Sequence, residues 1–511
     1  MKRTAEKSQG LALWKRAAAF LLMLCVLLMS DVAAFADQDE GKEVKTETWG
    51  DYTYEILEND EAKIIEYTGT NSKSVKIPET LRKYKVTALG NYVFQSYFVF
   101  NDPIPSFLEE VEIPDSVKVI DGNPFLGCPR LTKIIVHPSN PYLAVIDNVL
   151  FCKTDKSIVS YPRGKTEKEY AIPEGIKIVG KKAFYECTAL KQVTIPDGVT
   201  TIEEAAFRLC SNLTSVVLPD SVTSVGDSAF HSCDHLGKIT LSSNLNSIGE
   251  MAFGFCKKLS SIELPDGLTE IKESAFAGCS ALSKLTIPES VAVIGDSPFR
   301  ECDRLSPANV SVMNDRFRVE NGMLFDANEN RLIQNLNKKA NRAEIPVGTE
   351  IIGRAAFYGA SGLASVTIPD TVKEIRKSAF NECRALKSIA IPKGVQTLEP
   401  WTFAECASLA EVSLPESLTE IGDYAFYNCI KLTEITISGG VKSIGWSAFS
   451  GCTKLKTVSI PGSVEAIDRT AFSGCKSLKN VVVEEGSYAE SYCAKQRIPC
   501  TYANSTDWLS G

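Results

Sequence analysis

The sequence predicts a solenoid, a chain wound into stacked coils whose strands form one parallel β-sheet. Phenylalanine recurs every 23 residues in two runs, at 184, 207, 230, 253, 276 and 299 and at 357, 380, 403, 426, 449 and 472. Within one unit, Leu190, Val193 and Ile195 give the alternating pattern of a strand with one buried face, and Pro196 ends that strand. A single unit cannot bury this much apolar surface alone, so the units must stack.

The period also indicates the class of solenoid. Among common repeats, only the leucine-rich repeat has a period of about 20 to 29 residues. With the two irregular units at Phe94 and Phe125, the sequence contains about 14 coils. We therefore expect a leucine-rich repeat solenoid over residues 78–483, which at a strand spacing of roughly 4.8 Å would be about 65 Å long.

Residues 1–36 have the pattern of an export signal. Basic residues precede an apolar run at 17–29, and Ala34-Phe35-Ala36 supplies a cleavage site with small residues. The run has 13 residues, too few to span roughly 30 Å of hydrocarbon as a membrane anchor. Cleavage would remove five basic and two acidic residues and leave a net charge near −11. This charge disfavours nucleic acid, and because no later segment is apolar enough to span a membrane, we expect a secreted or surface-associated protein.

Distinct elements are predicted at both ends of the solenoid. Residues 37–48 form an acidic linker, and residues 49–77 hold two alternating stretches around Asn59-Asp60 that indicate a hairpin cap and the first strand. Residues 484–511 form a C-terminal cap and tail, in which 487–496 has helical composition. Such caps are needed because the terminal coils of a solenoid expose one apolar side.

Two inserts interrupt the period, at about 137–171 and 311–344. Residues 142–162 align with 316–336, and Asn321-Gly322 between apolar runs is a strong signal for a tight hairpin turn. We expect each insert to be a small β-meander that projects from the solenoid.

Most of the 16 cysteines share one position, three residues after the phenylalanine of each unit. They are found at 128, 187, 210, 233, 256, 279, 302, 383, 406, 429, 452 and 475. Stacked coils hold the Cβ atoms of neighbouring cysteines too far apart for a disulfide, and Ala360 fills the same position in one unit. The pattern predicts a ladder of buried free thiols. For Cys493 and Cys500, a bridge and two buried thiols both remain open.

Few residues suggest catalysis or metal binding. His231 and His235 flank Cys233, but they fill variable positions, and we expect them to be solvated. No Cys-x-x-Cys pair occurs, as many zinc sites would require. We therefore expect no enzyme activity, no cofactor and no metal.

Acidic residues follow the strand-ending proline in many units, at Glu79, Asp115, Glu174, Asp197, Asp220, Asp266, Glu289, Asp370 and Glu416. A line of carboxylates could bind Ca²⁺ between coils. Turn formation explains the same series more simply, since aspartate favours turns.

The repeat unit resembles a known family. The pattern A-F-x-x-C-x-x-L-x-x-V-x-I-P, as in Ala275 to Pro288, is similar to the BspA-type leucine-rich repeat of bacterial surface proteins, and the resemblance covers roughly residues 49–502. It implies a secreted or surface-exposed protein, often an adhesin that binds host extracellular proteins or other cells. The motif specifies the scaffold only, so no functional residue follows from it.

Two surfaces are candidates for binding. The outward strand positions carry small, generic residues, at Thr194, Val217, Thr240, Glu263, Thr286, Thr367, Ala390, Ser413, Thr436 and Ser459. Aromatic anchors, which dominate binding hot spots, occur instead at Trp401, Tyr424, Tyr427 and Trp446 on three successive coils. These four could bind a host or microbial surface protein or glycan, or they could simply pack between coils.

The sequence thus favours a secreted or cell-surface binding protein with an adhesive role. The alternative is a structural component of the cell envelope without a foreign ligand, and an enzyme is a distant third.

Overall fold

A computed structural model of the chain describes residues 44–69, 72–94, 98–99, 102–103, 107–305 and 308–503. The predicted export signal, the first part of the linker and the tail beyond residue 503 lie outside these residues. From Thr48 onward the chain forms one compact unit. It is a solenoid with a period of 23 residues, as predicted.

Each regular coil has three sides, where the sequence predicted a single sheet. The first side carries the V-x-I segment, and its strands form what we call the front ladder. Its strands are Ser74–Lys76, Glu110–Ile113, Lys133–Val136, Glu169–Ala171, Gln192–Thr194, Ser215–Val217, Lys238–Thr240, Thr286–Ile287, Asn309–Val310, Arg342–Glu344, Ser365–Thr367, Ser388–Ala390, Glu411–Ser413, Glu434–Thr436, Thr457–Ser459, Asn480–Val483 and Cys500–Tyr502.

The second side, the back ladder, is formed by shorter strands that follow the proline turn. They are Tyr84–Leu89, Val119–Ile120, Ile178–Val179, Thr201–Ile202, Ser224–Val225, Ser247–Ile248, Glu270–Ile271, Val293–Ile294, Ile351–Ile352, Glu374–Ile375, Thr397–Leu398, Glu420–Ile421, Ser443–Ile444 and Ala466–Ile467. Neighbouring strands pair in parallel at a shift of 23 residues, as in Ile202 with Val225.

The third side, the phenylalanine wall, consists of turns that are also hydrogen-bonded from coil to coil. The N–H of Phe184 donates to the carbonyl of Ala206 at 2.8 Å, and the N–H of Phe207 donates to Ala229 at 2.7 Å. The rings point inward and stack, with Phe184 and Phe207 4.8 Å apart between centroids. Along this wall the N–H groups of one coil therefore donate to the carbonyls of the next.

The inserts are three-stranded meanders, as predicted. The prediction that they project from the solenoid is wrong. Their strands are Leu143–Ile146, Val149–Cys152 and Ser157–Ser160 in the first, and Phe317–Glu320, Met323–Asp326 and Arg331–Asn335 in the second. The last strand of each pairs in parallel with the next back-ladder strand, through Ile158 with Val179 and Leu332 with Ile352. Each insert therefore lies inside the body of the solenoid.

Both faces of each insert are buried, which explains this position. In the first insert Leu150 packs into the N-terminal core, whereas Phe151 packs into the central core. In the second, Leu324 faces the central core and Phe325 the C-terminal core. We call each insert a septum, because the two inserts divide the hydrophobic interior into three cores.

The N-terminal hairpin pairs Tyr52–Ile56 with Glu61–Tyr67 around a 3₁₀ turn at Glu58–Asp60, and its second strand joins the back ladder. Four further short strands lie near this end of the chain: Thr46–Trp49, Thr80–Leu81 and the paired Phe98–Val99 and Asp102–Pro103. At the other end the helix Tyr488–Gln496 begins at the N-cap Ser487 and precedes the final strand.

The solenoid has about 19 turns rather than the predicted 14 coils. The predicted count rested on the recurring phenylalanine, which the extra turns lack. These turns belong to the N-terminal strands, the septa and the C-terminal strand.

Candidate functional site

The four predicted aromatic residues lie together on the outer surface of the phenylalanine wall; we call them the aromatic patch. The rings of Trp401 and Tyr424 stack 4.0 Å apart at 16°. Trp446 meets Tyr424 edge-on at 5.1 Å, and Tyr427 lies 5.5 Å from Tyr424 and 6.1 Å from Trp401.

The backbone at Trp401 and Tyr424 is left-handed, with φ of 64° and 56°. Both residues stand two positions before the phenylalanine of their coil, where every regular coil except that of Phe472 has a positive φ. Smaller or flexible residues fill this position in the other regular coils that share the positive φ, and Tyr92 fills it in the irregular N-terminal coil with a φ of 63°: the regular coils have Lys182, Ala205, Ser228, Met251, Ser274, Ser297, Ala355, Ser378 and Ser447. A bulky aromatic residue is disfavoured in this region, and such outliers cluster at functional sites.

The patch is partly exposed. Trp446 is 52% exposed, and the other three rings are half-buried. The backbone N–H of Trp446 donates to the carboxylate of Asp423 at 2.6 Å, which fixes the backbone beside the ring. Burial raises the pKa of the Tyr424 hydroxyl, and the neighbouring Tyr427 and Asp423 raise it further. At neutral pH the patch therefore presents a neutral hydroxyl among rings.

A polar row beside the patch was missed by the sequence analysis. Asn428, the residue after Tyr427, donates its side-chain amide to the Glu405 carboxylate at 2.7 Å. The Tyr358 hydroxyl donates to the Glu382 carboxylate at 3.0 Å. Burial raises the pKa of Glu405. The sequence contained a signal for this polar row, because positions 382, 405 and 428 are spaced by 23 residues, the period of the solenoid.

The outward positions of the front ladder are exposed, except for the half-buried Ser459. Unlike the aromatic patch, they bring no bulky anchors together. The structure therefore adds no candidate binding residue at these outward positions.

The predicted column of free thiols is confirmed. All twelve ladder cysteines are unpaired, and eleven of them are buried. Eleven of these thiols donate to the carbonyl of the preceding coil's phenylalanine, as Cys210 does to Phe184 at 2.9 Å, and Cys187 donates to the Tyr161 carbonyl instead. Burial raises the pKa of the Cys210 thiol to about 12. Cys493 and Cys500 are free thiols as well.

The prediction of solvated histidines is wrong for His231, which is buried. The Phe255 ring of the next coil lies 5.4 Å from the imidazole, and Gly254 leaves room for it. Burial and nearby Arg208 lower the pKa of His231 to about 3, so the ring is neutral at physiological pH. His235 is exposed, with Nδ1 2.7 Å from the carbonyl oxygen of Ser211.

Two carboxylates of the acidic series accept hydrogen bonds from backbone N–H groups in the turn of the next coil. The Asp220 carboxylate accepts the backbone N–H of Ser243 at 2.9 Å, and Glu416 accepts the N–H of Gly439 at 3.0 Å. Each carboxylate thus bridges one turn to the next coil. In the described part of the chain, no three metal-ligating side chains converge.

The family model described as "BspA type Leucine rich repeat region (6 copies)" matches residues 89–172, 177–306, 335–438 and 374–497, well over half of the chain. No curated protein matches the chain. Among the described residues, no helix is long and apolar enough to cross a membrane.

Three solved bacterial structures are similar. A leucine-rich repeat protein from Eubacterium ventriosum is 25% identical, with a TM-score of 0.53, over 65% of this chain and 87% of that one. A leucine rich cell surface protein from Faecalibacterium prausnitzii is 26% identical over 88% of this chain and 97% of its own, with a TM-score of 0.45. The pneumococcal vaccine antigen PcpA is 19% identical over 91% and 100% respectively, with a TM-score of 0.47.

Proposed function

The chain belongs to the BspA-type leucine-rich repeat family, and on that premise we propose that it is a secreted or cell-surface adhesive protein. Its partner is a protein or glycan on a host or microbial surface, and the aromatic patch is the contact site. The solenoid itself is the scaffold that holds the patch.

The observation that carries this proposal is the left-handed backbone beneath Trp401 and Tyr424. A solenoid that needed only to stack would keep serine or alanine there, as most other coils do. Large rings at this position support a role in recognition, since strain of this kind persists where function requires it.

Rigid spacing supports the same role. The rings sit on consecutive coils of a continuous back ladder, Thr397–Leu398, Glu420–Ile421 and Ser443–Ile444. A ligand would meet them without ordering a loop, so little conformational entropy is lost on binding. Trp446 is the main exposed anchor; it meets Tyr424 edge-on, and Tyr424 stacks on Trp401.

The proposal predicts that Trp401→Ala combined with Trp446→Ala weakens ligand binding at least about thirtyfold, or ~2 kcal/mol. The purified protein is first screened against host matrix proteins and a glycan array. The affinity for the strongest hit is then measured for the unchanged protein and for the double variant. Circular dichroism should be unchanged, because neither ring belongs to a core.

The matched control is Thr436→Ala, an exposed front-ladder change on a coil of the patch. It should leave the affinity unchanged. Loss of binding in the control but not in the tryptophan variant would move the site to the front ladder and overturn the proposed contact. A screen without any partner would instead favour a structural envelope component.

A further inference from the structure

The front ladder opens into a cleft of about 1020 Å³ between two coils that lie between the septa. One wall is the segment Ser261–Leu264, and the other is Lys284–Thr286 followed by Pro288 and Glu289. Neighbouring front strands pair over up to four residues, as Lys133–Val136 with Glu110–Ile113, but the ladder is also interrupted between Ser365–Thr367 and Ser388–Ala390 and between Glu411–Ser413 and Glu434–Thr436. Here, in the part of the chain that the structure describes, only Ser261 and Lys284 form a backbone bridge.

The two segments therefore diverge from a narrow end toward the proline turns. At the narrow end the N–H of Ser283 still donates to Ser260 at 3.0 Å. At the wide end, no hydrogen bond joins Leu264 to Thr286 among the described residues, whereas Leu218 donates to Thr240 at 2.9 Å; the same bond is also missing between Ile195 and Val217.

The carboxylates at the wide end make no hydrogen bond to the neighbouring coil among the described residues. The turn acid Asp220 reaches the backbone N–H of Ser243 in the next coil. Asp266 holds the same turn position, yet within the described residues its carboxylate makes no such bond to Glu289. Glu263, Asp266 and Glu289 also lack ion pairs among the residues described here, and all three are exposed.

The cleft thus combines three features. Its backbone edge at Ile262–Leu264 has hydrogen-bonding groups without a ladder partner in the described chain, and such an edge accepts an added strand. Its floor is apolar, with Leu285 buried and Leu264 half-buried. Its wide end carries three carboxylates, whereas its narrow end carries Lys284.

We propose that this cleft binds an extended cationic peptide segment, which adds to the front ladder as a strand and places its basic side chains against Glu263, Asp266 and Glu289. Alternate side chains of an added strand point in opposite directions, so every second residue of the peptide faces the apolar floor. Lys284 repels a basic residue at the narrow end, which sets the position of the peptide. The net charge of −8 aids the approach of such a ligand.

The test measures fluorescence anisotropy with the full chain and a labelled, end-capped heptapeptide of alternating lysine and valine at low salt. Two comparison peptides replace lysine by glutamate, or carry N-methyl groups on alternate amides that prevent strand pairing. The lysine peptide should bind at least about tenfold more tightly than either. Equal binding of the N-methylated peptide, or no binding of the lysine peptide, would overturn the proposal.

Variants locate the site. Glu263→Gln with Asp266→Asn and Glu289→Gln should weaken the lysine peptide at least about tenfold. The control, Asp370→Asn with Glu416→Gln, changes the same turn position in two coils after the second septum and should not change binding of the lysine peptide. Bound peptide should slow amide exchange at Ile262–Leu264; unchanged exchange there, or an unaffected triple variant, contradicts the assignment. The aromatic patch is not involved, so its tryptophan variant should bind the peptide normally.

Discussion

At the scale of single residues, the ladder cysteine acts as a hydrogen-bond donor as well as a filler. Its thiol reaches back one coil to a phenylalanine carbonyl, as Cys279 does to Phe253 at 3.1 Å. The sequence predicted the burial from the shared position and from Ala360. It could not predict the thiol hydrogen bond, because alanine satisfies the same volume without donating.

These thiols predict a stability loss in alkali. Burial raises the pKa of Cys233 and Cys429 well above that of an ordinary thiol. Above about pH 9 the unfolded chain loses these protons while the folded chain keeps them. Each buried thiol then removes up to ~1.4 kcal/mol of stability per pH unit. Urea unfolding between neutral pH and pH 10 should show the decline, and Cys233→Ala with Cys429→Ala should make it shallower.

Thiol labelling gives a second check on the same residues. Native protein should react with an alkylating reagent only at the half-buried Cys152, Cys475 and Cys500, whereas denatured, unreduced protein should react at every described cysteine. Mass spectrometry counts the modified residues. Disulfides among the ladder positions would contradict the thiol column.

At the scale of elements, the septa differ most from expectation. Alternation in Phe317–Glu320 and the Asn321-Gly322 turn identified the meander, but a sheet buried on both faces has the same turns as one that projects. The decisive residues are polar and buried: Asp326 is 1% exposed. Arg331 is buried as well, and its partner Asp296 could not be identified from the sequence because it lies 35 residues earlier.

The ion pairs of the second septum should be essential to its stability. Arg331 contacts Asp296 and donates to Glu329 at 2.7 Å, while Asp326 accepts Arg316 at 3.1 Å. Arg331→Leu should cost about 3 kcal/mol, because Asp296 and Asp326 lose a buried partner. Arg318→Leu, which removes an exposed pair with Glu320, should cost less than about 1 kcal/mol. Denaturant unfolding of both variants measures the difference.

At the scale of the whole molecule, the septa divide one continuous solenoid into three cores. The 23-residue recurrence predicted the stacking and the inward phenylalanine side chains. The cleft at Ser261–Leu264 could not be predicted, since this unit has the same motif as units whose front strands pair. The site residues could be selected by type and spacing, but only coordinates show that Trp401 and Tyr424 stack on each other.

Contacts between neighbouring coils predict local rather than global damage from a core change. Phe276→Ala removes a fully buried ring of the central core and should cost about 3 to 5 kcal/mol. Amide exchange should accelerate within the central core and leave residues 357–472 unaffected. Uniform loss of protection would contradict three cores.

The directed hydrogen bonds of the phenylalanine wall make the two ends of the solenoid chemically different. Tyr67 of the N-terminal hairpin supplies a donor to the Val93 carbonyl at 2.8 Å, and the Tyr492 hydroxyl accepts the N–H of Phe472 at the opposite end. Where the second septum interrupts the wall, the Gln334 side chain accepts the N–H of Phe299 at 2.9 Å. The number of coils can therefore change without altering how the two ends are closed. A whole 23-residue unit can be duplicated or deleted without changing either end, but a chain cut after any coil needs a new acceptor.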